Sequence, residues 1–173
     1  MLARNVESRN ADIMGRIVPH TFHGPHMIHF EGVESFALPV AEVAAKLSDA
    51  GFLANCVPDA QVIEATPDRA VGKLKPKLSF LTGSLTLNAD VTAREVGKSV
   101  AYQVVTKTIG ATSTVTAKLE FKEAEGGGTS VHWTGALVAV TGLLKMVPKG
   151  LMEGAAKKVI EDVWVALKAK LGG

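Results

Sequence analysis

Four histidines recur at every third position near the start of the chain, a spacing that raises the question of a metal site. They are His20, His23, His26 and His29. Histidine is the commonest metal ligand in proteins. Residues three apart point to opposite faces of a strand, however, and Pro19 and Pro25 interrupt any helix on which the rings could converge. We therefore predict no metal site.

Cysteine, histidine and acidic residues, which can support catalysis, are present, but their spacing in the sequence does not suggest a catalytic pair. Cys56, the single cysteine, lies in an apolar stretch with no histidine nearby, so we interpret it as a small core residue. His132 precedes Trp133 in a strand-like segment, which favours a surface or rim residue over a general base. Four acidic residues are too scattered to form a pair for acid–base work: Glu34, Glu42, Asp59 and Glu64. We predict no catalytic residues and no enzymatic activity.

Apolar side chains at alternating positions are better candidates, because they could line a pocket for an apolar ligand. The candidate ligand-binding residues are Leu78, Phe80, Leu85, Leu87, Tyr102, Val104, Val131, Trp133, Met152, Val159, Ile160 and Val163. Tyr102 and Trp133 could each add one polar tip to an apolar wall. The same residues could instead close a solid core, and the sequence leaves this alternative open.

One long C-terminal helix is predicted between Leu143 and Leu171. Pro148 suits its first turn, and the glycines at 172–173 can end it. At about 100° per residue, one arc is apolar and comprises Met152, Ala155, Ala156, Val159, Ile160, Val163 and Leu167. Lys157, Lys158, Glu161 and Lys168 fall on the opposite arc, and Trp164 lies at the edge, where it could serve an interface. Such a helix needs an apolar partner surface.

The partner is predicted to be a curved antiparallel sheet of about seven strands. A first strand (27–38) precedes two short helices, the first opening at Pro39. Six more strand-like runs follow at 61–65, 70–81, 85–91, 100–106, 111–122 and 129–140. Their short connections favour a meander. A strongly bent sheet cannot touch a straight helix throughout, so a closed cavity of roughly several hundred Å³ is expected between them.

Composition limits the function classes. The 173 residues fit one domain, and the net charge of +2 is too small to argue for nucleic acid. One cysteine agrees with a reducing compartment, and neither a spanning apolar run nor a signal peptide is evident. We expect a cytoplasmic protein with a loosely attached arm, 1–26, and a ligand-binding domain, 27–173. The sequence is compatible with a homodimer.

Lysines near apolar residues allow at most a peripheral membrane contact. Lys73, Lys75 and Lys77 alternate along one predicted strand, which is typical of a solvated face but could also meet an acidic partner or an anionic membrane. A weak interfacial foot could form from Leu143, Leu144, Met146 and Val147 with Lys145 and Lys149. Packing at the start of the helix is the alternative for these residues.

Five segments from about residue 30 to the end resemble a known family. They are SFALPVAEVAAKL, GFLANCVPDAQVIE, KLSFLTGSLTLNADVT, GGGTSVHWTGALVAVTGLL and MEGAAKKVIEDVWVALKAKL. The chain resembles the START-like, helix-grip superfamily that includes Bet v 1 and polyketide cyclases. Within it, the chain is similar to the carbon monoxide dehydrogenase G-subunit family.

The resemblance implies an α+β helix-grip fold and a non-enzymatic accessory protein. Its ligand would be a quinone- or lipid-like molecule, with no other cofactor. Its partner would be a molybdenum hydroxylase, whose maturation or membrane recruitment it would assist. Larger family members carry an apolar C-terminal anchor, which we do not expect here because the chain ends at Gly173. A cyclase or hydrolase using the same pocket and a ligand-free accessory are the alternatives.

Overall fold

The computed structural model describes residues 18–21, 28–78, 80–81 and 83–172. Its strands are β1 (Val18–Thr21), β2 (Ile28–Phe36), β3 (Gln61–Ala65), β4 (Arg69–Leu74), β5 (Leu85–Glu95), β6 (Ser99–Thr108), β7 (Ala111–Glu123) and β8 (Thr129–Gly142). Its α-helices are α1 (Val40–Leu47), α2 (Ala50–Cys56) and α3 (Lys149–Leu171). A short 3-10 helix, Leu143–Met146, links β8 to α3.

The strands form one antiparallel sheet in the order β1-β2-β8-β7-β6-β5-β4-β3. Strands β3 to β8 pair with their chain neighbours, which confirms the predicted meander. Strand β8 then pairs with β2, so the first predicted strand lies beside the last. Register shifts interrupt the β3–β4, β5–β6 and β7–β8 pairs, and such bulges increase twist and bend the strands. The predicted sheet with a long C-terminal helix is confirmed.

The N-terminal arm contributes to this sheet within the described residues. Strand β1 pairs with β2 and places His20 opposite His29 in the backbone register. His23 and His26 lie outside the described residues, as does most of the arm. Its loose attachment therefore stays a prediction.

The core lies on the face of the sheet that turns toward the helices. Register aligns Val100 with Leu119 and Leu119 with Trp133, and all three side chains are buried. Helix α1 adds Val43 and Leu47 to the same cluster through the apolar spacing that the sequence shows. Arg94 of β5 ties the helices to the sheet, because its guanidinium donates to the backbone oxygens of Ser48 and Pro67 at 2.7 and 2.9 Å.

Two predicted element boundaries are wrong. The strand predicted over 70–81 ends at Leu74, so Leu78 and Phe80 lie in the connection to β5 rather than on the sheet. Pro76 has no N–H to donate to a neighbouring strand, which disfavours extending β4. The helix predicted from Leu143 begins at Lys149, with Pro148 in an extended conformation at its cap. Leu143–Met146 forms the separate 3-10 helix instead.

Helix α3 packs on the sheet mainly through its C-terminal half. Trp164, Leu167 and Leu171 are buried there, whereas the side chain of Val159 is 50% exposed, contrary to the predicted arc. Trp164 is thus a core residue rather than an edge residue. Lys168, which the helical wheel places toward solvent, forms an ion pair with Glu34 of β2. The buried face of the helix therefore includes Trp164 and excludes Val159, which is a shift around the helix axis relative to the predicted arc.

Gly32 of β2 is needed because the Trp133 indole lies directly over it. The two residues are register partners, and a Cβ at position 32 would stand 2.7 Å from a ring carbon of Trp133. We expect Gly32→Ala to lower the free energy of unfolding by about 1–3 kcal/mol, because the ring must move in a packed core. Chemical denaturation would measure this loss.

Gly154→Ala in α3 is the matched control. A Cβ there would meet nothing within 4 Å, and alanine favours a helix interior by roughly 0.5–1 kcal/mol. The control should therefore be neutral or stabilising. Equal stability of the two variants would show that the indole does not need the space over Gly32.

Candidate ligand-binding groove

Partly exposed apolar side chains lie on the inward face of the sheet and on the N-terminal half of α3, and we call the space between these two sets the candidate groove. Its floor includes Leu87, Val104, Val115 and Leu137, which occupy inward register positions of four adjacent strands and remain partly exposed. Its opposite wall consists of partly buried residues of α3: Met152, Ala156, Ile160 and Val163. Within the described residues, the backbone of α3 approaches α2 and β2 more closely than it approaches β5, β6 or β7. The partial exposure of Leu87, Val104 and Val115 indicates that α3 does not completely cover these strands.

Aromatic rings close one end of this groove. The Trp133 and Trp164 ring centroids are 5.9 Å apart with the planes at 36°, and Phe36 lies 6.3 Å from Trp164. Tilted rings at such distances attract each other beyond their area of contact. The C-terminal half of α3 is thus fixed to β2 and β8, and the groove opens toward the start of the helix.

The predicted lining residues fall into three groups in the structure. Leu85, Tyr102, Val131 and Trp133 are buried in the core. Leu87, Val104, Met152, Ile160 and Val163 are partly exposed along the groove. Leu78 and Phe80 are partly buried in the β4–β5 connection, and Val159 is half exposed on α3. The second group is therefore best placed to touch a ligand, and binding itself stays a prediction.

The hydroxyl of Tyr102 is already used within the fold. It donates a hydrogen bond of 2.7 Å to the backbone oxygen of Leu47 at the end of α1. Burial raises the pKa of this phenol well above its ordinary value, so it stays a neutral donor. Tyr102 anchors α1 to the sheet, and its donor is not available as a polar tip toward a ligand.

The indole N–H of Trp133 is buried and has no hydrogen-bond partner within the described residues. A buried donor without an acceptor costs roughly 1–3 kcal/mol. This donor lies next to Gly32 and beside the Trp164 ring, at the closed end of the groove. Of the two predicted polar tips, Tyr102 and Trp133, only the Trp133 N–H therefore has no acceptor among the described residues.

A hydroxyl pair provides a second polar feature, one that the sequence interpretation missed. Thr106 and Ser113 are register partners on β6 and β7, and their side-chain oxygens are hydrogen-bonded to each other. Both are partly buried on the inward face, in line with Val104 and Val115. One hydroxyl donates to the other, which leaves one hydroxyl hydrogen for another acceptor. The alternating pattern of β6 in the sequence already predicted that Thr106 faces inward, which was the available signal for this pair.

The ion pair between Glu34 and Lys168 faces the interior of the domain. The Glu34 side chain is 12% exposed and that of Lys168 is 37% exposed, so the carboxylate is the more deeply buried partner. Glu34 occupies an inward position between Gly32 and Phe36 on β2. The pair joins β2 to the last turns of α3, and its charges are balanced. Glu34 and Lys168 lie near opposite ends of the domain in sequence, so no local sequence pattern reveals that they form a pair.

The structure places Cys56 in the core and His132 on the outer face of the sheet, so it does not bring these two residues together. Burial raises the pKa of the Cys56 thiol, and nearby Lys170 offsets this only in part, so the reactive thiolate is disfavoured. His132 lies on the outer face, where its Nδ1 is 3.4 Å from Glu120. Lys118 and His132 together hold the pKa of the Glu120 carboxyl below its usual value. Within the described residues no group of three or more metal-ligating side chains occurs.

A small cavity lies at the open end of the groove. It encloses about 60 Å³ and is lined by Phe80, Leu81, Thr108, Ile109, Ala111, Leu143, Leu144 and Val147. Ligand pockets usually enclose roughly 300–1,000 Å³, so this cavity alone is too small for a quinone or lipid. The closed cavity of several hundred Å³ predicted between sheet and helix is not what the described residues line here, and the candidate groove rests on partly exposed side chains instead.

Comparison with protein families decides the classification. The profile of the family described as the carbon monoxide dehydrogenase G subunit (CoxG) matches residues 32–172. The chain belongs to this CoxG family. No curated protein is similar to this CoxG-family chain at a significant level.

Solved structures show the same fold at low sequence identity. A conserved protein from Geobacillus kaustophilus aligns with a TM-score of 0.72 at 17% identity, over 83% of this chain and 95% of that one. A START superfamily protein from Mycobacterium smegmatis gives 0.59 at 12% identity, over 85% and 97%. The Zhui aromatase/cyclase from Streptomyces sp. R1128 gives 0.55 at 20% identity, over 85% and 93%. The predicted helix-grip fold is confirmed.

A helix that crosses a bilayer must be both long and apolar. None of the described helices meets both conditions.

Proposed function

We propose that this CoxG-family protein is a non-catalytic carrier. It holds a quinone- or lipid-like molecule in the groove between the sheet and α3. The observation that carries the proposal is the partial exposure of apolar side chains on both walls, such as Val104 on the floor and Ile160 on α3. A solid core would bury these side chains, whereas a groove that receives an apolar guest leaves them accessible until the guest binds.

Few polar groups accompany these walls, and they suit a ligand that carries hydrogen-bond acceptors. The Trp133 N–H lies at the closed end, and the Thr106–Ser113 hydroxyl pair lies on the floor. Each can donate one hydrogen bond to a carbonyl or ether oxygen. A quinone ring with an apolar tail, or a lipid with an ester, has this combination of apolar area and acceptors. No other cofactor is part of the proposal.

Membership of the CoxG family supports an accessory role beside a molybdenum hydroxylase of the carbon monoxide dehydrogenase type. In that role, the carrier would exchange its guest with the partner enzyme, or assist the maturation or membrane recruitment of that enzyme, as a cytoplasmic protein. The buried, unreactive Cys56 is compatible with a reducing compartment. Co-purification with the hydroxylase from cells that express both proteins would test this part.

A cyclase-type activity is the alternative, since Zhui shares the fold. It would need ionisable groups that converge in the groove. Among the described inward-facing residues, Glu34 and Lys168 neutralise each other and Tyr102 is held by Leu47. Because these described groups are engaged with each other or with the backbone, they are poorly placed for proton transfer, which favours the carrier.

Titration with menadione, a small quinone, tests the carrier proposal through intrinsic fluorescence. The two tryptophans of the chain, Trp133 and Trp164, are buried at the end of the groove, so collisions in solution reach them poorly. A quinone bound in the groove would quench both by proximity. We expect saturable quenching with a Kd of roughly 1–100 μM, the range of about −8 to −5 kcal/mol. Quenching that rises linearly without saturation would contradict the proposal.

A further inference from the structure

The outward side of α3 carries a stripe of six residues whose spacing alternates between four and three positions. They are Leu151, Ala155, Lys158, Asp162, Val165 and Ala169. We call these six residues the outer stripe. At about 100° per residue, the stripe lies directly opposite Ile160, which belongs to the wall of the candidate groove. All six residues are at least partly exposed, and the apolar side chains of Val165 and Leu151 are 69% and 46% exposed.

The spacing of the outer stripe is that of a coiled-coil seam. Positions that alternate four and three apart repeat every 3.5 residues on average, so they form one nearly straight line where a helix packs against another helix. From Leu151 to Ala169 this line is about 27 Å long, because a helix rises 1.5 Å per residue. A single exposed valine needs no explanation, but apolar side chains placed along a seam indicate a helical partner.

The apolar members of the outer stripe complement one another in size. Leu151 and Ala169 both lie nine positions from residue 160, and Ala155 and Val165 both lie five positions from it. Two antiparallel copies of α3, related by a two-fold axis at residue 160, would therefore place Leu151 of one copy opposite Ala169 of the other. The same axis places Val165 opposite Ala155. Each large side chain thus meets a small one, which allows the two helices to pack closely.

The charged members of the outer stripe are complementary in the same arrangement. Lys158 and Asp162 lie two positions on either side of residue 160, so antiparallel packing brings each lysine next to the aspartate of the other copy. Within one chain the two residues pair at 3.2 Å, and their side chains are 73% and 52% exposed, so both charges can also reach a second copy. Parallel packing would instead place lysine against lysine and aspartate against aspartate, which is repulsive.

We infer that the protein forms a homodimer through the outer stripe, with two antiparallel α3 helices around a two-fold axis. The partner is a second copy of this chain because the stripe is complementary to its own reverse in both size and charge. A seam of this length makes a small interface, so we expect a dissociation constant of roughly 10–100 μM. At about 1 μM the protein is then monomeric, and measurements of unfolding at that concentration report on the single chain.

Dimerisation leaves the candidate groove accessible. Ile160 and Ala156 pack toward the core on one side of α3, whereas Lys158 and Asp162 lie on the exposed side. A dimer would therefore carry two separate grooves. The inference does not depend on the carrier proposal, and menadione should bind the monomer and the dimer with the same affinity.

Sedimentation velocity of the full chain between about 1 and 300 μM tests the inference. We expect a concentration-dependent change from monomer to dimer. Val165→Asp places a carboxylate on the seam and should raise the dissociation constant about tenfold or more, because that charge must leave water when the helices pack. Val96 is the matched control, since it is 89% exposed but lies in the turn between β5 and β6. Val96→Asp should dimerise like the parent protein.

Exchange of the two charges distinguishes a lost contact between copies from a damaged helix. Lys158→Glu leaves only carboxylates at the two charged positions of the stripe, and Asp162→Lys leaves only ammonium groups. Each variant alone should stay monomeric at about 300 μM, because two like-charged stripes repel each other. An equal mixture of the two variants should form a dimer, since the carboxylates of one variant then face the ammonium groups of the other. Far-UV circular dichroism checks that both variants are folded.

Three results would overturn the inference. A parent protein that stays monomeric at about 300 μM would indicate that the outer stripe serves a different protein. A dimer that Val165→Asp leaves unchanged would show that the two copies meet on another face. A mixture of folded Lys158→Glu and Asp162→Lys variants that stays monomeric would show that these charges do not face each other across a two-fold axis.

Discussion

Ala156→Phe in α3 is expected to reduce the affinity for menadione at least tenfold, which corresponds to about 1.4 kcal/mol. Ala156 is partly buried on the wall of the groove, where it packs against the core cluster. A phenyl ring at this position would occupy the space that the proposal assigns to the ligand. The titration of tryptophan fluorescence measures the effect, and phenylalanine adds no emission that would interfere with Trp133 and Trp164.

A control and a second blocking variant make this result specific. Ala169 is exposed near the end of the same helix, and Ala169→Phe should bind menadione like the parent protein. Val104→Phe places the same ring on the opposite wall, on β6, and should also lose at least tenfold in affinity. Thermal melting identifies any variant that fails to fold. Unchanged binding by folded forms of both groove variants would place the quinone elsewhere.

Lys168→Met is expected to lower the free energy of unfolding by about 2 kcal/mol. The change removes the cation that balances Glu34, whose side chain is only 12% exposed. Removing one partner of a fully buried ion pair costs roughly 3–5 kcal/mol, and the partial exposure of Lys168 reduces this figure. Denaturation with urea at neutral pH would measure the loss.

A double variant and a surface control test whether the loss comes from the unpaired carboxylate. Glu34→Gln combined with Lys168→Met leaves no charge to neutralise, so it should recover to within about 1 kcal/mol of the parent protein. Lys158 pairs with Asp162 at 3.2 Å on the exposed side of α3, so Lys158→Met should cost roughly 0.5 kcal/mol or less. If Lys168→Met were no more costly than Lys158→Met, the inward pair would contribute no more than a surface pair.

Much of the fold follows from local pattern. Alternation along β5, β6 and β8 correctly predicts which side chains of each strand face the core, as Val131 and Trp133 show. Alternation also gave one wrong prediction. Leu74, Leu78 and Phe80 all occupy even-numbered positions, which suggested that β4 is longer than it is. Periodicity does not report whether a neighbouring strand is present to accept the hydrogen bonds, and Pro76 removes a donor.

The placement of α3 could not be predicted from its own sequence. A helical wheel gives the apolar arc but not which part of the helix reaches the sheet. Bulges in β5 and β8 bend the sheet, and Trp164 is buried against it while Val159 is half exposed. The Glu34–Lys168 pair depends on the same docking, so it too lay beyond sequence reasoning.

The individual polar contacts of the candidate groove also could not be predicted from the sequence. Tyr102 and Trp133 look alike as aromatic residues with one polar atom, yet only the Tyr102 hydroxyl finds an acceptor among the described residues, the Leu47 oxygen. That acceptor is supplied by a helix far away in sequence. The hydroxyl pair of Thr106 and Ser113 similarly depends on the detailed β6–β7 register.

Methyl NMR of the protein during a menadione titration tests the central claim most directly, because it locates the ligand. The account predicts that shifts concentrate on the groove methyls of Leu87, Val104, Val115 and Ile160. The methyls of Ile63 and Val96, which are exposed elsewhere on the surface, should stay unchanged. Shifts confined to residues outside the groove, or no shifts at saturating menadione, would contradict the claim that the space between sheet and helix is a binding site.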